Sequence, residues 1–130
     1  MLSGLLSRHR QRRNSYMPER NREIYLQDIL SSCVKIKKYT AGLNASLFAA
    51  DDKTFDAVIR NFEIIGEASK KIGDKIKHSY PDIPWRDLID FRNRISHEYF
   101  GISVEIVWKI IQDEIPSLES KIKKIQTDEK

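Results

Sequence analysis

Arg92 and His97 stand five positions apart in the stretch Asp90-Phe91-Arg92-Asn93-Arg94-Ile95-Ser96-His97-Glu98-Tyr99-Phe100. Arginine is a permanent cation whose planar fork matches two phosphate oxygens, and histidine, with an ordinary pKa of about 6.5, exchanges a proton near neutrality. Together they can cleave RNA without a metal. Attack of a ribose 2′-OH on the adjacent phosphorus needs a proton acceptor, a donor for the leaving 5′ oxygen, and stabilisation of the charge on the pentacoordinate phosphorane. His97 is the candidate for the acid–base role, and Arg92 for holding the phosphate through two parallel hydrogen bonds. Asn93 would orient the histidine or a phosphate oxygen, and Tyr99 would stack on a base or donate its hydroxyl. Asp90 and Ser96 are weaker helpers. The same residues also have a structural reading: a histidine near a helix end caps carbonyls, and an arginine beside Trp and Asp makes a salt bridge. An Arg–X4–His spacing arises often by accident.

These side chains need a helix to carry them. At about 100° per residue, Arg92 shares a face with Trp85, Leu88 and Ile89, and an inward guanidinium needs partners. Ser96 and Tyr99 follow on the same stripe, Asn93 and His97 form a neighbouring pair, and Arg94 and Glu98 project elsewhere. Arg92 and His97 then point about 140° apart. Fraying after Ser96, the reach of arginine, or a second copy across a two-fold axis could bring them onto one phosphate. The dimer is the favoured answer.

Apolar spacing predicts four helices. The first runs from about Arg20 to Tyr39, with Tyr25, Ile29, Cys33 and Ile36 on one stripe and Leu26, Leu30 and Val34 beside it. Thr40-Ala41-Gly42-Leu43-Asn44 stops it. The second opens at Asp51-Asp52, whose carboxylates suit a helix start, and keeps Phe55, Val58, Ile59, Phe62, Ile65, Ser69, Ile72 and Ile76 on one face. Gly66 and Gly73 on or near that face predict close approach of another helix. Tyr80-Pro81-Asp82-Ile83-Pro84 is an extended connector. The third helix spans about Trp85 to His97, with Gly101 at its stop. The fourth begins at Ser103 as N-cap, buries Val104, Val107, Trp108, Ile111 and Ile115, kinks at Pro116, and continues through Leu118, Ile122 and Ile125. One up-and-down helical bundle accommodates all of this.

The totals agree. A chain of 130 residues, 40% apolar and 32% charged, is one domain's worth with enough apolar content for a single core. The net charge of +4 is misleading: Arg8, Arg10, Arg12 and Arg13 account for all of it, and 19 basic residues face 19 acidic ones from Met17 onward. Nucleic acid would have to bind through a local cluster. Residues 1–16 read as a disordered basic extension, alternatively as an arm that touches RNA, and 17–130 as the folded domain. The lone Cys33 excludes an internal disulfide and fits a reducing cytoplasm, as an inert core thiol. No apolar run reaches the roughly 18 residues of a membrane span. Three dispersed histidines (His9, His78, His97) make no metal site. Glu63 and Glu67 pair with Arg92, Arg60 or Lys70 more readily than they bind metal. Three lysine groups, Lys70-Lys71, Lys75-Lys77 and Lys121-Lys123-Lys124, are solvated faces, any one of which could hold an RNA backbone. No glycine-rich phosphate loop is present, and no cofactor is expected.

The segment Arg92-Asn93-Arg94-Ile95-Ser96-His97-Glu98-Tyr99 resembles the Arg–X4–6–His signature of HEPN ribonucleases, in the Arg–Asn…His–X–Tyr form of HepT-type toxins. Pro84-Trp85-Arg86-Asp87-Leu88-Ile89, Gly101-Ile102, Tyr25-Leu26-Gln27-Asp28-Ile29 and Arg60-Asn61-Phe62-Glu63-Ile64-Ile65-Gly66-Glu67-Ala68 are similar to that family as well, in order, over about residues 20–125. The resemblance implies an all-α, four-helix HEPN bundle and a homodimer with a composite cleft. It further implies a toxin RNase acting on tRNA or mRNA, paired with an MNT-type nucleotidyltransferase antitoxin. The antitoxin would transfer AMP to Tyr99, blocking RNA by bulk and negative charge. The alternative is a non-catalytic HEPN bundle that binds a nucleotide or a nucleotidyltransferase.

Overall fold

The computed structural model describes residues 19–130 and is helical throughout the regular parts of that range. The basic extension expected over 1–16 lies outside the described residues. Seven α-helices occur among them: α1 (Glu19–Thr40), α2 (Ala45–Ala49), α3 (Asp52–Lys71), α4 (Asp74–Ser79), α5 (Trp85–Glu98), α6 (Val104–Asp113) and α7 (Ile115–Asp128). A 3-10 turn, Tyr99–Gly101, extends α5. The all-α expectation is met, whereas the four expected helices are divided further.

Each division has a local cause. Gly42, at φ 78°, ends α1, and Leu43 N–H donates back to the Thr40 carbonyl at 3.1 Å. Asn44 then caps α2, its side chain accepting from Leu47 N–H at 2.8 Å, and α2 buries Phe48. Apolar spacing gave no sign of this helix. Asp51 starts α3 as expected, accepting from the Thr54 N–H at 3.0 Å. The long second helix expected through Ile76 instead breaks at Gly73, whose φ of 95° turns the chain into α4. Gly73 therefore serves as a turn residue. Ser103 caps α6, accepting from Ile106 N–H at 3.3 Å. Pro116 does not kink a continuous helix: the chain breaks at Glu114, and the proline sits in the first turn of α7, where its missing N–H costs nothing.

α3 packs between α1 and α5, α1 also packs on α7, and α2 covers α3 and α6. Leu26, Ile29, Cys33 and Ile36 of α1 meet Val58, Ile59, Phe62 and Ile65 of α3 and Ile115, Leu118, Ile122 and Ile125 of α7 in one buried core. Val34, on the flank of the expected stripe, is exposed. α5 runs antiparallel to α3: Phe91 meets Phe62 edge-on at 5.2 Å, and Arg92 lies over Gly66. The connector before α5 is pinned at three points. Trp85 Nε1 donates to the Tyr80 carbonyl at 3.0 Å, the Tyr80 hydroxyl donates to Glu129 at 2.9 Å, and Lys121 Nζ donates to the Asp82 carbonyl at 2.9 Å.

Candidate functional site

Arg92 reaches its position because Gly66 lets α5 lie close on α3. A Cβ at Gly66 would overlap Arg92 Cβ and come within 2.9 Å of the Leu88 carbonyl oxygen. The guanidinium then meets the next residue of α3: Arg92 Nη2 lies 2.8 Å from Glu67 Oε2, and Nη1 donates to Asn93 Oδ1 at 3.2 Å. The Glu67–Arg92 approach is short but badly aligned. Glu67 Oε2 is shielded from solvent, and no N–H points at it well enough to count as a hydrogen bond. Lys71 Nζ lies 3.3 Å from the other oxygen of the same carboxylate. With about a third of its side chain exposed, Arg92 opens into a groove of about 480 Å³ between α1 and α3, lined also by Tyr25, Asp28, Arg60 and Glu63. The pairing of Glu67 with Arg92 was among the partners expected from sequence.

His97 lies in the last turn of α5, exposed, with no hydrogen bond or ion pair among the described residues. α5 stays helical through Glu98, so fraying after Ser96 does not occur and the angle of about 140° between Arg92 and His97 persists. Ser96 Oγ donates to the Arg92 carbonyl at 3.2 Å, turned back onto its own helix. Asn93 is exposed beside Arg92, and Asp90 is exposed without a polar partner among the described residues. Arg94 and Glu98 pair with each other at 3.7 Å, away from the groove.

Tyr99 faces α3, as its place on the Arg92 stripe predicts, but at the other end of that helix. Its ring packs against Phe55 with centroids 6.4 Å apart, and its hydroxyl donates to the Asp56 carboxylate. Asp56 and Glu67, the partners of Tyr99 and Arg92, are separated by about 16 Å of helix rise. The Asp56 hydrogen bond, followed by desolvation and the charges of Asp56, Asp52 and Glu63, pushes the Tyr99 hydroxyl pKa above its ordinary value. Phe100, next in sequence, is wholly exposed. Asp56 went unread in the sequence because it is an ordinary exposed acid whose partner lies 43 positions away.

The remaining candidates have structural places. Cys33 is fully buried, and desolvation pushes its thiol up to about 12. Trp108 lies against Phe48 with centroids 5.2 Å apart, and His78 is exposed. Among the described residues no group of three His, Cys, Asp or Glu side chains could hold a metal ion. No helix there is long and apolar enough to cross a membrane.

An all-helical bundle of this kind is consistent with the scaffold of the HEPN ribonucleases. Residues 29–125 match the model of the ribonuclease HepT-like family, and the chain belongs to that family. It is similar to a probable ribonuclease HepT of Thermococcus cleftensis, 41% identical over 108 residues, covering 83% of this chain and 98% of the relative. A candidate RNase of Methanocaldococcus jannaschii is 36% identical over 112 residues, covering 86% of this chain and 93% of its own length. Another from Caldanaerobacter subterraneus subsp. tengcongensis is 35% identical over 106 residues, covering 82% and 95% respectively. No solved structure matches.

Proposed function

We propose that this protein is a metal-independent endoribonuclease in which Arg92 binds the scissile phosphate and His97 moves the protons, the two contributed by different subunits of a homodimer. The observation that carries this reading is their placement. Both side chains reach solvent on one unbroken helix, one in a groove and the other free of partners, yet about 140° apart. A second copy related by a two-fold axis can set one subunit's Arg92 beside its partner's imidazole. His97 then takes the 2′-OH proton or protonates the leaving 5′ oxygen, and the guanidinium stabilises the phosphorane. Asn93, already bonded to Arg92, holds the guanidinium in place. Ser96 and Asp90 keep supporting roles along the same helix.

The RNase names of the relatives favour cleavage of RNA; the substrate in this reading is tRNA or mRNA. In the fuller reading the chain is the toxin of a toxin–antitoxin pair acting in the cytoplasm, and a nucleotidyltransferase antitoxin silences it by adding AMP to Tyr99. A phosphodiester there would stand two residues from His97, against Asp56 and Asp52, adding negative charge where RNA must approach. One observation favours the non-catalytic alternative: Glu67 and Asn93 already engage both terminal nitrogens of Arg92.

Purified protein incubated with RNA in EDTA separates the two. Cleavage should persist and leave 2′,3′-cyclic phosphate ends, and Arg92→Ala and His97→Ala should each abolish it while remaining folded. Mixing the two dead variants then tests the shared site. Random exchange rebuilds one intact site in each heterodimer, which restores about a quarter of the parent rate. No cleavage by the parent chain sinks the enzyme reading. Dead mixtures from subunits that demonstrably exchange sink the composite cleft. Co-expression with the nucleotidyltransferase should add mass in AMP steps, and Tyr99→Phe should receive none.

A further inference from the structure

We propose that Lys70, Lys71, Lys75 and Lys77, at the corner between α3 and α4, carry the phosphodiester backbone of RNA up to the Arg92 groove; this rests on the ribonuclease reading above. Lys71 is the junction. It shares the Glu67 carboxylate with Arg92, at 3.3 Å and 2.8 Å, so one negative charge stands between two positive ones at the rim of the groove. Beyond it Gly73 turns the chain, and Lys77 Nζ donates to the Lys70 carbonyl at 3.3 Å, folding the lysines of α4 over the end of α3. Lys70 and Lys75 are exposed, and their ammonium groups meet no carboxylate among the described residues. Asp74 is the single acid between Lys70 and Lys77, so the corner is basic while the rest of the body from Met17 onward carries a small excess of acid.

In the α7 group Lys124 alone is exposed without a partner among the described residues; its neighbours and Lys37 are occupied. Lys121 lies 3.8 Å from Asp82 and donates to its carbonyl, Lys123 lies 3.4 Å from Glu119, and Lys37 lies 2.7 Å from Glu119. These ammonium groups hold helices and the connector together. Helix electrostatics do not account for the α3–α4 corner either. Cations suit the last turn of a helix, which covers Lys70, Lys71 and Lys77, but Lys75 stands in the first turn of α4 beside Asp74 and gains nothing there.

The test titrates the full chain with a 2′-O-methylated single-stranded RNA, which lacks the attacking hydroxyl and stays intact, between 50 and 200 mM salt. For single strands the slope of log K against log salt shrinks by about 0.7 for each phosphate that is no longer neutralised. K70Q/K71Q/K75Q/K77Q should lose about 2 to 3 from that slope, and K121Q/K123Q/K124Q less than about 0.7. K70Q/K75Q, which touches only exposed side chains, should lose about 1.4 and serves if the quadruple variant misfolds. An unchanged slope in a folded corner variant, or a larger loss in the α7 variant, overturns the track while parent cleavage of ordinary RNA leaves the nuclease reading standing. A parent chain that neither binds this RNA nor cuts its unmodified counterpart overturns both.

Discussion

Gly66→Ala puts the contact between α3 and α5 to a direct test. The new methyl carbon would overlap Arg92 Cβ and lie 2.9 Å from both Arg92 Cγ and the Leu88 carbonyl oxygen. Carbon–carbon contact is comfortable near 3.5–4 Å, so the helices must part by appreciably more than about 1 Å. The Leu88 oxygen is backbone and cannot swing aside. Overpacking of this kind costs about 3 kcal/mol at the upper end, and replacing a helical glycine by alanine returns about 1 kcal/mol. The net expectation is a loss of about 2 kcal/mol, or roughly 8 °C in Tm. Parting the helices also lifts Arg92 off Glu67, so RNA cleavage should fall more than the loss of folded protein accounts for. Urea and thermal unfolding by circular dichroism at fixed protein concentration give the first quantity, and initial cleavage rates at a temperature where both forms are folded give the second. Gly42→Ala is the control, because Gly42 has φ 78° with open space around its Cα and carries only a conformational cost. A Gly66→Ala protein that melts higher than the parent and cuts RNA at the parent rate would refute the close-approach reasoning.

Glu119 is nearly buried, and its hydrogen bond from Lys37 outweighs desolvation to hold its carboxyl below the ordinary carboxylate value. A depressed folded-state pKa stabilises above the unfolded value of about 4.3, and that contribution disappears as pH falls through the folded value. Glu119→Gln should therefore lower stability more at pH 7 than at pH 3, and equal losses at the two pH values would contradict this. Cys33, fully buried with its thiol raised to about 12, should resist thiol reagents at pH 8 until urea unfolds the chain; rapid labelling of native protein would show that the core opens locally. Tyr99→Phe removes the hydroxyl bond to Asp56 at a partly exposed site and should cost at most about 1 kcal/mol in urea unfolding. Asp56→Asn in addition should cost less than its effect in the parent background, and strict additivity would show that the two groups do not interact.

The long apolar stripes were legible because Ile29, Cys33 and Ile36, or Ile115, Leu118, Ile122 and Ile125, recur at helical spacing over several turns. α2 was not: five residues around one buried Phe48 leave no period to read, and its stability comes from α3 and α6. Gly66 and Gly73 carry the same signal, two glycines seven apart on one apolar face. Only backbone geometry separates the first, which admits Arg92, from the second, which turns the chain. In the site, the Glu67–Arg92 pair was readable because an inward arginine on a core-facing stripe demands a carboxylate from a neighbouring helix. Asp56 sends no such signal. The relative position of Arg92 and His97 followed from spacing alone, since α5 is regular through both.

The Tyr80 hydroxyl bond to Glu129 gives the far end of the chain a hand in aiming α5. Burial and that carboxylate raise the Tyr80 hydroxyl to about 12, so it keeps its proton and remains a donor at physiological pH. Its carbonyl in turn anchors the Trp85 indole at the first residue of the helix that bears Arg92 and His97. Trimming Asp128 and Glu129, or fusing an affinity handle rigidly behind them, would slacken the hinge from which α5 springs.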